Sequence, residues 1–258
     1  THFLTVNYTG SSTPPSMNDL IDIPDESDPL RTTYGNPHLK NMWQHTLSLW
    51  WNHYNERRQR TLTLQPSFSQ SFRQIVHRLT YDPLTGTQSL RPENAGGHWA
   101  TQLNALWSQP ITPQGNLILT VSSDNSYTRQ ISLLASDLQS SLRHTMATGE
   151  RGGLLSQTLK ADLRLSEQWD FSLRTRHTLQ HSMPGRVSGH PTLTCHLAIL
   201  QANATWHAPW HMDVTTESAL RMRRGYEESQ YNTTEWLCNA TLSQSLLPSR
   251  KLSLGLRQ

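Results

Sequence analysis

The sequence predicts an all-β fold: an antiparallel, up-and-down sheet of about eleven strands, patterned as a segment of a transmembrane β-barrel, a partial barrel. Three observations predict it. Connections between candidate strands alternate long and short from one end to the other. The clearest strands alternate apolar and polar residues with period two. The tryptophans fall at strand ends. Polarity flips at every hairpin, so alternating connections collect at opposite ends of the sheet. Outer-membrane barrels segregate their loops in this way, with short turns on one side of the bilayer and long loops on the other.

The candidate strands are 2–9, 41–54, 61–75, 97–107, 116–127, 154–166, 169–180, 193–206, 210–221, 235–246 and 252–258. The long connections are 10–40, 76–96, 128–153, 181–192 and 222–234. The short ones are 55–60, 108–115, 167–168, 207–209 and 247–251. Alternation is clearest in the middle. Leu155, Leu159, Ala161, Leu163 and Leu165 share a face, opposed by Ser156, Thr158, Lys160, Asp162, Arg164 and Ser166. Trp169, Phe171, Leu173 and Leu179 then oppose Asp170, Ser172, Arg174, Arg176 and Gln180. Period two gives one apolar and one wet face, and no long segment keeps the spacing a helix needs.

Two hairpin registers follow, because a one-residue slip would invert a strand. Pairing 165 with 169 and 163 with 171 sets Arg164 opposite Asp170 and Lys160 opposite Arg174. The second pair is tolerable only on a wet face. The next hairpin is expected to set Trp206 opposite Trp210, Ala204 opposite Met212 and Ala202 opposite Val214, with Pro209 in the turn.

Nine tryptophans are present. Trp51, Trp107, Trp169, Trp206 and Trp210 flank short turns, whereas Trp43, Trp99 and Trp236 lie near long loops. All eight share the parity of their strand's apolar residues; Trp50 does not. Two such collars suit the two membrane interfaces, where an indole buries its ring and keeps its N–H wet.

Hydrophobic residues make up 34% of the chain and the mean hydropathy is −0.62. Both are lean for a globular core of this length. A large barrel needs apolar residues only at alternate positions over a thin band. No run of eighteen apolar residues exists, so no transmembrane helix is expected. The formal charge of +3 is dispersed, with no basic stripe for nucleic acid. Cys195 and Cys238 lie on different strands and read as two separate thiols. The thirteen histidines are scattered, and no metal-ligand spacing appears. Asp25, Glu26 and Asp28 form an acidic loop cluster, read as loop-stabilising with no metal. The sequons at Asn7, Asn203, Asn232 and Asn239 read as wet-face residues. No nucleophile elbow marks a Ser–His pair, so no enzyme activity, catalytic residue or cofactor is expected. Substrate-binding residues are not readable.

Three groups of motifs run along the chain: Tyr8-Thr-Gly-Ser-Ser-Thr-Pro-Pro15 with Asp25-Glu-Ser-Asp-Pro-Leu30 and Tyr34-Gly-Asn-Pro-His-Leu-Lys40; Tyr81-Asp-Pro-Leu-Thr-Gly86; and Pro209-Trp210 with Glu235-Trp-Leu-Cys-Asn-Ala240. In these the chain resembles the outer-membrane β-barrel family of Bacteroidota, the C-terminal barrel of TonB-dependent receptor-like proteins. The resemblance implies location in the outer membrane of a Gram-negative cell and uptake of an unidentified ligand. It implies outer-membrane lipid, a plug domain and a TonB-type energising complex as partners. The chain reads as one barrel domain, 1–258, with the signal peptide, plug and final strands lying outside it; eleven is an odd strand number, and bacterial single-chain barrels close with an even one. Lys160, Asp162, Arg164, Arg174 and Arg176 are then expected to line the lumen. The competing expectation is a surface β-sandwich, an adhesin or carbohydrate binder with exposed indoles as sugar platforms.

Overall fold

Period-two alternation becomes a single open sheet. The computed structural model describes residues 1–82, 84–136, 146–184, 191–209, 212–247, 250–253 and 256–257. The elements in chain order are β1 (His2–Thr13), a helical turn α1 (Met17–Leu20), β2 (Asp25–Asp28), β3 (Arg31–Thr33), β4 (Met42–Asn55), β5 (Arg60–Phe72), β6 (Gln74–Tyr81), β7 (Gln88–Ala95), β8 (His98–Pro110), β9 (Leu117–Ser136), β10 (Met146–Arg164), β11 (Trp169–Met183), β12 (Leu193–Ala208), β13 (Met212–Arg224), a 3-10 turn (Ser229–Tyr231), β14 (Thr234–Leu247), β15 (Arg250–Ser253) and β16 (Leu256–Arg257). The main path runs β1-β4-β5-β8-β9-β10-β11-β12-β13-β14-β15, eleven strands with antiparallel neighbours throughout. β1 and β15 are its ends, so the sheet is not closed.

The sheet is one layer thick. Among the described residues the buried apolar side chains are only Ala95, Leu133, Cys195 and Ala208, plus the fully buried Pro92. Leu47, Phe68, Leu103, Leu159, Leu173 and Leu200 are all exposed. The accessible surface is 18007 Å², against roughly 11,500 Å² for a folded monomer of this mass. A two-sheet sandwich would bury its inner faces. The sandwich expectation is therefore corrected: among the described residues no second sheet covers the apolar face.

Residue pairing fixes the strand tilt. On β8 the collars are marked by Trp107 and Trp99, about 27 Å apart along the strand at the usual rise. The line of directly opposed residues leaving Trp107 passes Val121, Leu159, Thr175, Leu200 and Leu220 to reach Trp236. Those interstrand steps span about 29 Å. The line thus climbs from the short-turn collar to the long-loop collar. Collars at constant height then require strands tilted by about 43°, within the range that barrels adopt. The same tilt places the collars on β4 near positions 50 and 42, where Trp51 and Trp43 stand. On β9 and β11 it points to positions near 128 and 171, beside Tyr127 and Phe171. Trp169 stacks on Phe171 and on Trp206, with ring centroids 5.8 and 6.0 Å apart. Trp50 points to the polar face, where it meets Phe3 edge-on at 5.8 Å.

The β10–β11 register has Arg164 opposite Asp170, Leu163 opposite Phe171 and Lys160 opposite Arg174, as the pattern predicts. The β12–β13 expectation is corrected. Ala208 faces Met212, Trp206 faces Val214 and Ala204 faces Thr216. β12 runs two residues further and β13 begins two residues later, so each residue's partner moves by four. An even shift keeps every side chain on its face, so parity alone could not detect it. It also extends the ladder to the His207–Asp213 pair. Trp210 lies outside the described residues. The expected strand 61–75 is two strands: Arg73 adopts φ 55 and breaks the ladder between β5 and β6.

Two of the long connections carry strands of their own. β6 and β7 form a hairpin. β6 then pairs in parallel with the long-loop end of β9, and β3 pairs in parallel with β7. Above the tops of β4, β5 and β8, the edge of β9 is therefore taken up by loop strands. The Gly-Asn-Pro signature fastens them. Asn36 N–H donates to the Asp19 carbonyl (2.6 Å), its Nδ2 donates to the carbonyl of buried Pro92 (2.9 Å), and its Oδ1 accepts from His38 N–H (3.0 Å). Asn94 joins the next layer through Lys40 and the Arg73 carbonyl. A Cβ on Gly35 would overlap the Ile21 carbonyl. Gly35→Ala is expected to cost the loop layer about 2 kcal/mol or more while leaving the main sheet intact. Hydrogen exchange should then speed up in 19–40 and 88–94 and stay unchanged in β10–β12.

Candidate functional site

Strand parity sends most of the charged residues of β10–β14 to one face. Lys160, Asp162 and Arg164 of β10 and Arg174 and Arg176 of β11 all point there, as the sequence predicts. They do not form one cluster. Arg176 Nε donates to Thr158 Oγ1 at 3.2 Å, higher up the wall. Lys160 lies opposite Arg174, and its ammonium is drawn to Asp162 at 2.8 Å. That contact and a wet face offset the like-charge pairing.

Near the short turns the charges join in a row. Arg164 Nε donates to Asp170 Oδ1 (3.1 Å), Asp170 Oδ2 lies 3.1 Å from His207 Nε2, and His207 Nδ1 lies 2.7 Å from Asp213 Oδ1. The two carboxylates are both acceptors, so both contacts are filled when the imidazole carries both of its N–H hydrogens. Beside the row is an open hollow of about 680 Å³ lined by Ile118, Lys160, Asp162, Asp170, Ser172 and Asn203, among others. Further along, Gln201 donates to Glu217, and Glu235 is approached by Arg223 (3.6 Å) and Arg221 (3.9 Å). The wall can hold a polar solute or a polar protein surface through charges of both signs. Around the sheet from β8 to β4 the same face is lined by small polar groups: Asn104, Ser67, Ser69, Ser48 and Thr46.

Sequence reasoning missed Glu217, Arg221, Arg223 and Glu235, although the polar parity of β13 and β14 carried the signal. It missed the His207–Asp213 pair for a different reason. The expected turn placed His207 within the loop, and only the true register brings Asp213 opposite it.

The apolar face has one polar island. Gln157 Nε2 donates to Ser123 Oγ (2.7 Å) and Asn125 Oδ1 (3.2 Å), and Asn125 Nδ2 donates to Ser123 Oγ (2.8 Å). These groups lie midway between the collars. Mutual bonding offsets the cost of holding amides away from water.

The loop carboxylates act locally. Asp25 accepts from Ser27, and Asp28 accepts from Leu30 N–H. Asp82 accepts from Leu84 N–H and Thr85 Oγ1, bonds that hold its carboxyl below the usual carboxylate range, the Thr85 contact most strongly. The stabilisation Asp82 gives its turn is therefore present above the ordinary carboxylate pKa and is lost as pH falls through the lowered one. Cys195 and Cys238 point to opposite faces, facing Gln180 and Ser218 respectively, so no disulfide joins them.

A family model described as "Outer membrane protein beta-barrel family" matches residues 1–189, well over half of the chain. No curated protein matches it.

Arg164 is 73% and Asp170 37% exposed along the side chain, so water screens their attraction. A double-mutant cycle on Asp170→Asn and Arg164→Gln is expected to give a coupling of about 0.2–1 kcal/mol. A coupling above about 2 kcal/mol would mean that this face is dry, against the present assignment.

Proposed function

The chain belongs to the outer membrane protein beta-barrel family, and from that premise we propose that it forms part of the wall of an outer-membrane receptor that takes up a polar ligand. The observation that carries this reading is the separation of faces. An apolar side bounded by two aromatic collars backs onto a side lined by paired charges and small hydroxyls. Backed by lipid, the second side is a lumen surface. In this reading further strands complete the wall, since hydrocarbon does not tolerate an unpaired edge. The long-loop layer faces outward and meets the ligand. The row at Asp170 and His207 faces the periplasmic mouth, where a plug domain coupled to a TonB-type energising complex would bear on it. The protein is then a conduit and a binding surface, not an enzyme, and its source is a Gram-negative organism of the Bacteroidota type.

Two measurements test this. Extraction should require detergent, and a membrane-impermeant maleimide should label Ser172→Cys but not the adjacent Leu173→Cys. Extraction by salt alone, or equal labelling, contradicts the wall assignment. For uptake, cells carrying the gene should deplete a solute from the medium that deletion cells leave behind, and a protonophore should abolish the difference. Depletion that survives the protonophore would make the protein a passive pore.

A further inference from the structure

Arg129 of β9 and Arg151 of β10 stand directly opposite each other on the apolar face. Like charges so placed repel. The residues beside them on that face are Trp99, Tyr127, Gly149, Gly153 and Met183, none of them acidic. Neither guanidinium has an ion-pair partner among the described residues. Arg129 Nε is buried without a hydrogen-bond partner, packed over the bare backbone of Gly149.

Their height is informative. The tilt puts the long-loop collar at Tyr127 on β9 and near position 153 on β10. Arg129 and Arg151 lie just past it, at the level where hydrocarbon gives way to head groups. Immediately below them, about 7 Å along the strands, the same face opens into a mostly apolar hollow of about 340 Å³. Leu103, Asn125, Tyr127, Gly153, Leu155 and Leu179 are among its lining residues. Gly153 creates the space: a Cβ there would approach the Tyr127 ring at 3.2 Å.

We propose that this is a binding site for a phosphorylated lipid, with the phosphate held between Arg129 and Arg151 and an acyl chain lying in the hollow over Gly153. A phosphate supplies the anion that two facing guanidiniums lack, through charge-assisted and bidentate hydrogen bonds. The hollow accepts the chain that is covalently attached to it. Both halves lie on one face in the order a lipid requires, charge at the interface and groove toward the membrane centre. The site rests on the outward orientation of the apolar face and is independent of what the lumen carries.

The test uses the intact protein in a neutral detergent, titrated with short-chain phosphatidic acid, with phosphatidylcholine of the same chain length, or with inorganic phosphate. Phosphatidic acid should bind with saturation and the other two should not compete with it at equal concentration. Arg129→Gln with Arg151→Gln should weaken binding about 30-fold, and the double Lys variant should recover part of it. Leu103→Trp, on the exposed rim of the hollow, should weaken phosphatidic acid while leaving both arginines in place. Wild-type binding by the double Gln variant overturns the proposal. So does effective competition by inorganic phosphate, which would make the arginines an anion site without an acyl groove, and so does equal binding of phosphatidylcholine.

Discussion

Backbone hydrogen bonding in the absence of water governs this molecule. In hydrocarbon each unpaired N–H or C=O costs several kcal/mol, and only helices or laterally paired strands escape that cost. The ladder from β1 to β15 pairs the strand backbones with their neighbours in this way. Side chains are then free of the task of making a core. They need only match two solvents, and one residue in two serves each. That explains how a chain with 34% hydrophobic residues forms an ordered sheet with almost no buried apolar side chains among the described residues.

The same constraint accounts for what happens where the sheet leaves the membrane. Above the upper collar, the edge of β9 is no longer covered by β8. The β6–β7 hairpin occupies it, and β3 extends the pairing outward. The signature at Gly35-Asn36-Pro37 closes this layer by hydrogen bonds to Asp19 and Pro92. The motif is a fastening for a second tier of strands.

Much of this architecture is legible in the chain because period two is a direct consequence of strand geometry. Strand number on the main path, face assignment and the Arg164–Asp170 register all follow from it. The limits are equally physical. Parity does not change on an even shift, so the β12–β13 register was misplaced, and with it the His207–Asp213 contact. Parity is also silent on loop strands held by parallel pairing to distant segments, such as Thr80 with Ala135. Nor does alternation reveal a polar residue on the lipid side whose needs are met by neighbours. Ser123, Asn125 and Gln157 satisfy one another only because three positions on two strands converge. The facing of Arg129 and Arg151 likewise depends on a pairing between β9 and β10 that spans a long connection.

The tilt unites these observations, because it brings the seven described collar indoles, spread over five strands, to two common heights. It places the charged row at one mouth, the loop tier at the other and the arginine pair at the interface. Polarised infrared spectroscopy of the protein in oriented bilayers measures it directly from the amide I dichroism. The account predicts strands inclined at about 43° to the membrane normal. Strands lying near the membrane plane, or an isotropic signal from protein that does not orient with the lipid, would contradict it.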